Sequence, residues 1–146
     1  MKQLKFVIEL NKDFPPAHLW LGRTYQELGR LNDALAEFQQ VEEKLPEWPV
    51  SIAARGFVAG AAGRTDEAQN TLAELRRLAG KKFVTSYGVA LVHAGLGQID
   101  SAFAWLDKAL DERSHWLVWL RLDPRWKGLR SDPRFAELVR RVGFPD

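Results

Sequence analysis

With 146 residues, 46% of them hydrophobic and 27% charged, the chain has the length of one domain and the balance of an ordinary folded one. A net charge of +2 is too small to argue for nucleic acid by itself, and the absence of cysteine excludes a disulfide framework and thiolate metal ligation. No apolar run approaches the ~20 residues that span a bilayer, and the N-terminal stretch is broken by Glu9 with no small-residue cleavage site, so a cytoplasmic location is expected.

In chain order, residues 2–12 read as a helix with Leu4, Val7 and Ile8 on one apolar face. The phrase E-L-N-K-D-F-P-P then leads into predicted helices over 16–28 and 32–44, with Gly29 between them. Pro46 and Pro49, flanking Trp48, punctuate the crossing to helices over 50–61 and 65–79, with Thr65 as the expected N-cap before Asp66 and Glu67. Gly80-Lys81-Lys82 is the next junction, followed by helices over 83–95 and 99–111. After Ser114 the pattern changes. Asp123-Pro124 and Ser131-Asp132-Pro133 each read as an N-cap followed by proline at the first helical position, and Phe135, Leu138, Val139 and Val142 give a last helical face.

The helices come in pairs with a fixed period. Gly29, Gly63 and Gly97 stand 34 residues apart, as do Ala34, Ala68 and Ala102, and such a period marks a stacked repeat. Phe38 and Val41 step back by 34 to Leu4 and Val7, so the chain opens in mid-repeat. Small residues at Gly22, Ala34, Ala90 and Ala102 let paired helices approach closely, while Phe38 and Leu106 fill the space further along. A lone pair cannot bury its apolar face, which is why such pairs stack.

Within His18–Pro46, the residues Leu21, Gly22, Tyr25, Ala34, Phe38 and Pro46 follow the spacing L-G-x2-Y…A-x3-F…P. This resembles the tetratricopeptide repeat, with His18 where that family usually has tryptophan. A second copy keeps Gly56, Ala59, Ala68 and Leu72 but has Arg55 in place of the leucine; a third keeps Val89, Ala90, Ala102 and Leu106, with His93 at the tyrosine position. The resemblance implies an all-α fold: a right-handed α-solenoid of helix-turn-helix repeats, a half repeat plus three repeats, closed by a helical C-terminal cap. The expected division is an array over 1–114 (half repeat 2–14; repeats 15–48, 49–82 and 83–114) and a cap over 115–146. Leu129–Phe135 (L-R-S-D-P-R-F) and the ending Gly143-Phe144-Pro145 resemble the segment that closes repeat arrays in many bacterial transcriptional regulators and signalling kinases.

No catalytic or metal-binding constellation emerges. His18 and His93 fall on repeat-defining positions, there is no H-E-x-x-H, and Gly56, Gly60 and Gly63 are not followed by G-K-[ST]. The chain is therefore expected to be no enzyme and to need no cofactor or metal. In the family, the first helix of each pair lines a concave groove. The candidate partner-binding positions that this implies are Leu19, Arg23 and Gln26, then Phe57 with Ala53 and Gly60, then Tyr87 and Leu91 with Ala94. Leu19 and Arg23 stand where one branch of the family carries the lysine and asparagine of a carboxylate clamp, and Val84 and Gly88 stand where further cations belong. Phe57, Tyr87 and Leu91 form either a peptide-binding stripe or a surface on which the tail packs.

Trp105, Trp116, Trp119 and Trp126 gather late in the chain as a closing layer over the last pair, with an aromatic binding surface as the alternative. The tail is locally basic, but Asp123, Asp132 and Glu137 are interleaved, which argues against nucleic acid. The expected function is a protein–protein interaction scaffold that binds a protein or peptide through the groove. The alternative is a non-catalytic regulatory or sensor segment of a bacterial transcriptional regulator or signalling protein. Leu4, Val7 and Ile8 have no preceding helix in this sequence to cover them, at ~1.5–3 kcal/mol per buried side chain. Either an upstream helix or a second copy supplies the cover, and a homodimer through residues 2–12 is the arrangement that closes.

Overall fold

Three glycines in the left-handed region set the architecture. Gly29, Gly63 and Gly97 have φ of 77°, 81° and 77°, and no atom lies within 4 Å of where a Cβ would stand, so backbone conformation and not space demands glycine there. Each ends a helix in the same way. The amides of Arg30, Arg64 and Gln98 donate to the carbonyls of Tyr25, Ala59 and His93 at 2.9, 2.8 and 2.9 Å, and the glycine amides donate to Gln26, Gly60 and Ala94 at 3.1, 3.1 and 3.0 Å. This double bond pattern is a Schellman closure, repeated at the 34-residue period.

The structure, a computed structural model, describes residues 15–79, 86–114, 117 and 120–143. Its helices are α1 (Pro15–Glu27), α2 (Leu31–Lys44), α3 (Pro49–Ala61), α4 (Thr65–Leu78), α5 (Ser86–Gly95), α6 (Ile99–Asp111), a 3-10 helix (Pro124–Leu129) and α7 (Pro133–Val142). No strand occurs among the described residues, and no helix among them is long and apolar enough to cross a membrane. The expected half repeat at 2–12, the junction at Gly80–Lys82, and Trp116 and Trp119 lie outside the described residues.

The second helices start at Leu31, Thr65 and Ile99, within one residue of expectation, but their capping differs. Thr65 is the first residue of α4, not its cap; Arg64 holds the cap position without a side-chain hydrogen bond, as Arg30 and Gln98 do for α2 and α6. The turn is so short that one residue closes the preceding helix and opens the next. Acidic residues in the first turns, Asp33, Asp66, Glu67 and Asp100, complement the helix dipoles instead. In the tail the expected caps are present: the Asp123 and Asp132 side chains accept from the amides of Arg125 and Arg134, each followed by proline in the first turn.

Close packing follows the small residues. Ala34, Ala68 and Ala102 have no exposed surface. A Cβ on Gly22 would lie 2.5 Å from the Phe38 ring, and one on Gly60 would lie 2.6 Å from the Gly95 carbonyl carbon, so the backbones of α3 and α5 nearly touch. α1 with α2, α3 with α4 and α5 with α6 form three antiparallel pairs, and the pairs stack through α2 on α3 and α3 on α5. The result is an α-solenoid.

The apolar interior falls into two clusters. One joins α1 to α4, with Phe38, Val41, Ile52, Leu75 and Leu78 fully buried and Val92 of α5 reaching in. The other joins α5 and α6 to the tail, with Leu106, Leu120, Trp126 and Leu129 essentially without solvent contact. Phe57 packs against both. α6 ends where Arg113 turns into the left-handed region at φ 55°, and the amide of Ser114 donates to Ala109 at 3.0 Å. The same closure that separates helices within a pair here sends the chain back across the array.

Candidate partner-binding site

The tail returns to the face shared by the first helices. The 3-10 helix packs on α5 and places Asp123, Arg125 and Trp126 against it. The Trp126 indole Nε1 donates to Tyr87 Oη at 2.8 Å, and the two rings meet edge to face, with centroids 5.2 Å apart and planes at 84°. Tyr87 Oη in turn donates to Asp123 Oδ2 at 2.6 Å. The Arg125 guanidinium grips the same carboxylate through Nε at 2.9 Å and Nη2 at 2.8 Å, while its amide donates to Oδ1 at 3.0 Å.

This network lies inside the protein: Asp123 is 4% exposed and Arg125 8%. Burial pushes the Asp123 carboxyl up, but the Arg125 hydrogen bonds and charge, with the Tyr87 hydroxyl, outweigh it and hold Asp123 below the usual carboxylate range. Burial, then the charge of Asp123 and its hydrogen bond, raise the Tyr87 hydroxyl well above its ordinary value, so it stays a donor. Arg130 secures the loop from outside, donating to the carbonyls of Arg121 and Asp123 at 3.1 and 3.0 Å.

The docked tail divides the candidate positions. Leu19 belongs to the first core cluster, with Ala53; Tyr87 and Leu91 belong to the second and are 2% exposed, so of the two roles open to them from sequence they occupy the one beneath the tail. Arg23 is half-buried beside the tail, its Nη2 3.8 Å from Asp123 Oδ1. Gln26 and Phe57 are brought together. They line a cleft of about 380 Å³ with Glu27, Leu31, Ala61, Ala94 and Gly95, closed on its far side by Pro124, Arg125 and Lys127–Leu129 of the tail. Gln26 Oε1 is buried there without a hydrogen-bond partner.

Sequence reasoning marked Asp123 as a cap but did not reveal that it meets Tyr87, 36 residues away. Nor did it find Trp20, which is 52% exposed and lies under the Arg23 guanidinium at 4.8 Å. The local signal for Trp20 was its spacing of three from Arg23 on one helix face. The other polar departures from the repeat pattern are absorbed structurally. His18 Nδ1 meets Glu37 Oε2 at 2.6 Å, and Arg55 donates to Glu42 on α2 at 2.7 Å and to Glu74 on α4 at 3.1 Å. The basic tail residues are largely neutralised in place: Arg134 pairs with Asp100 and Asp132, Arg140 with Glu137, and Arg141 with Asp107.

The sequence profile described as "Tetratricopeptide repeat" matches residues 15–43, which are α1, its Schellman turn and nearly all of α2. The same unit follows twice more at the same interval in the fold. Residues 15–43 thus match a tetratricopeptide repeat. No curated protein matches it. Among solved structures it is similar to the crystal structure of MamA, at 18% identity over 95% of this chain and 82% of that one, with a TM-score of 0.49. Tetratricopeptide repeats are in general protein-interaction modules, and the match over residues 15–43 supports that general role.

Proposed function

We propose that this tetratricopeptide array binds a peptide or protein segment on the face shared by α1, α3 and α5, in the cleft that the docked tail leaves open. Gln26 and Phe57 form its floor, and Arg23 stands one turn away on α1. Leu19, Tyr87 and Leu91 act indirectly, by holding the interior and the tail in place. In this reading residues 115–146 are a cap that fills the α5 end of the groove and builds one wall of the site.

The observation that supports it is the buried, unpaired Gln26 Oε1 at a cleft lined by Leu31, Phe57, Ala61, Ala94 and Leu129, with Glu27, Arg125 and Lys127 also in its lining. A buried acceptor without a donor costs ~1–3 kcal/mol, a cost that a ligand N–H removes. A photo-cross-linking residue at position 57 is expected to give partner adducts that vanish when Gln26→Lys fills the cleft. The same residue at Gln69, exposed on α4, is the control. Equal adducts from both positions would place the binding surface elsewhere.

A further inference from the structure

The first helices finish together. α1 ends at Glu27, α3 at Ala61 and α5 at Gly95, and all three ends line the cleft of about 380 Å³ beside the tail. α3 and α5 are held there backbone to backbone, since a Cβ on Gly60 would stand 2.6 Å from the Gly95 carbonyl carbon. The carbonyls of Glu27, Ala61 and Gly95 accept no backbone amide among the described residues, because the Schellman bonds fall on the carbonyls before them. A helix end of this kind carries about half a negative charge, so three of them give the cleft a fixed negative side.

Two side chains at the end of α1 add to it. Gln26 Oε1 is buried without a hydrogen-bond partner. Glu27 is exposed and forms no ion pair among the described residues; it acts on Arg23, one turn back, less than Asp123 or Tyr87 does. The cations on the opposite wall do not cancel this. Arg125 spends its guanidinium on Asp123, through Nε and Nη2. Lys127 is exposed, and its long stem lets the ammonium remain in water. Between the walls Phe57 lines the floor, an aromatic surface of the kind that receives a cation or its alkyl stem.

We propose that the cleft takes a cationic side chain of the partner, a lysine or an arginine, whose head group donates to Gln26 Oε1 and faces Glu27 while its stem lies on Phe57. The proposal rests on the cleft-binding reading above and deepens it: the bound segment is basic. A cation answers each feature at once. It donates an N–H to the orphaned acceptor, which a neutral apolar side chain leaves bare. It meets the negative helix ends with the favoured sign. Ammonium and guanidinium share this chemistry, and the test separates them.

The test is an amide NMR titration of the full chain with three acetylated and amidated peptides. The first is Ser-Ala-Lys-Ala-Ser; the second has Arg in place of Lys; the third has norleucine, which keeps the lysine stem without its charge. The expected result is binding of the Lys or the Arg peptide roughly fivefold or more tighter than that of the norleucine peptide, with shifts centred on Gln26, Phe57 and Ala94. The tighter of the two basic peptides fixes the head group. The gap should narrow with added salt and in Glu27→Gln, and widen in Lys127→Gln, which removes an opposing charge. Both positions are exposed, so neither substitution disturbs the interior. Equal binding of the norleucine and basic peptides at the cleft overturns the proposal but leaves the cleft reading standing. No shift at the cleft with any peptide also overturns the proposal, and the cleft reading then stands or falls with the cross-link at position 57 alone. A basic preference that neither Glu27→Gln nor Lys127→Gln alters would put the recognising charge elsewhere and overturn it as well.

Discussion

Asp123 ties the tail to the array through several bonds at once. It caps the 3-10 helix, neutralises Arg125 and receives the Tyr87 hydroxyl. Removing one member of a buried pair leaves the other charged and unpaired, so Asp123→Ala is expected to lose ~3–5 kcal/mol in urea unfolding at pH 7. The pH dependence follows from the sign of the shift. The folded carboxyl titrates below its unfolded value of ~3.9, so the unfolded chain takes up the proton first. The stabilisation is complete above that value and is lost as pH falls through the folded pKa. Tyr87 sets the opposite limit, because its raised pKa means that stability declines as pH climbs above the unfolded tyrosine value of ~10. The gap in stability between wild type and Asp123→Asn should therefore be widest near neutrality and shrink below pH ~4. A gap that does not change with pH would mean that the carboxylate is not ionised in the docked tail. None of this pairing was legible in the sequence, because the cap at Asp123-Pro124 is a local signal whereas its meeting with Tyr87 depends on how the tail folds back.

At the scale of helices and turns the sequence was far more informative. The period, the three left-handed glycines and the small residues at the crossings each have a local physical cause, and residues 15–111 follow them wherever the structure describes them. The cap of α4 was misassigned to Thr65 because a Schellman closure and a helix start share one residue, Arg64, leaving no room for a hydroxyl cap. The Gly56–Gly60 face was legible as close packing, but its partner, the Gly95 backbone on α5, was not. That contact gives a sharp prediction. In Gly60→Ala the methyl would stand 2.6 Å from a backbone carbon and 2.8 Å from a carbonyl oxygen, neither of which can rotate away. α3 and α5 must then move apart, and the expected loss is ~1–3 kcal/mol, more than the ~1 kcal/mol gain in helix propensity returns. Chemical denaturation of the variant checks this; unchanged or raised stability would mean that the two helices are not held at this distance.

Taken whole, the molecule has two interiors that meet at Phe57 and Val92, and the tail supplies a large part of only one. Stacked repeats interact with their neighbours alone, so damage to one interior spreads no further than the interface it shares with the next. Trp126 is the largest fully buried side chain among the described residues, and it is held by packing and by its bond to Tyr87. Trp126→Ala should therefore lose ~3–5 kcal/mol, with the loss unevenly spread. Amide exchange is expected to quicken first in α5, α6 and α7, whose buried side chains lie with Trp126 in the second cluster. α1 and α2, whose interior closes on α3 and α4, should keep their protection, because no described tail residue belongs to their cluster. The Gln26–Phe57 cleft lies across the divide, with one wall from the tail and its floor on α1 and α3, so it should open in step with α5 and not with α1. Uniform acceleration across α1 to α7 would show one cooperative unit, and the tail would then be as much a support for the first pair as for the last.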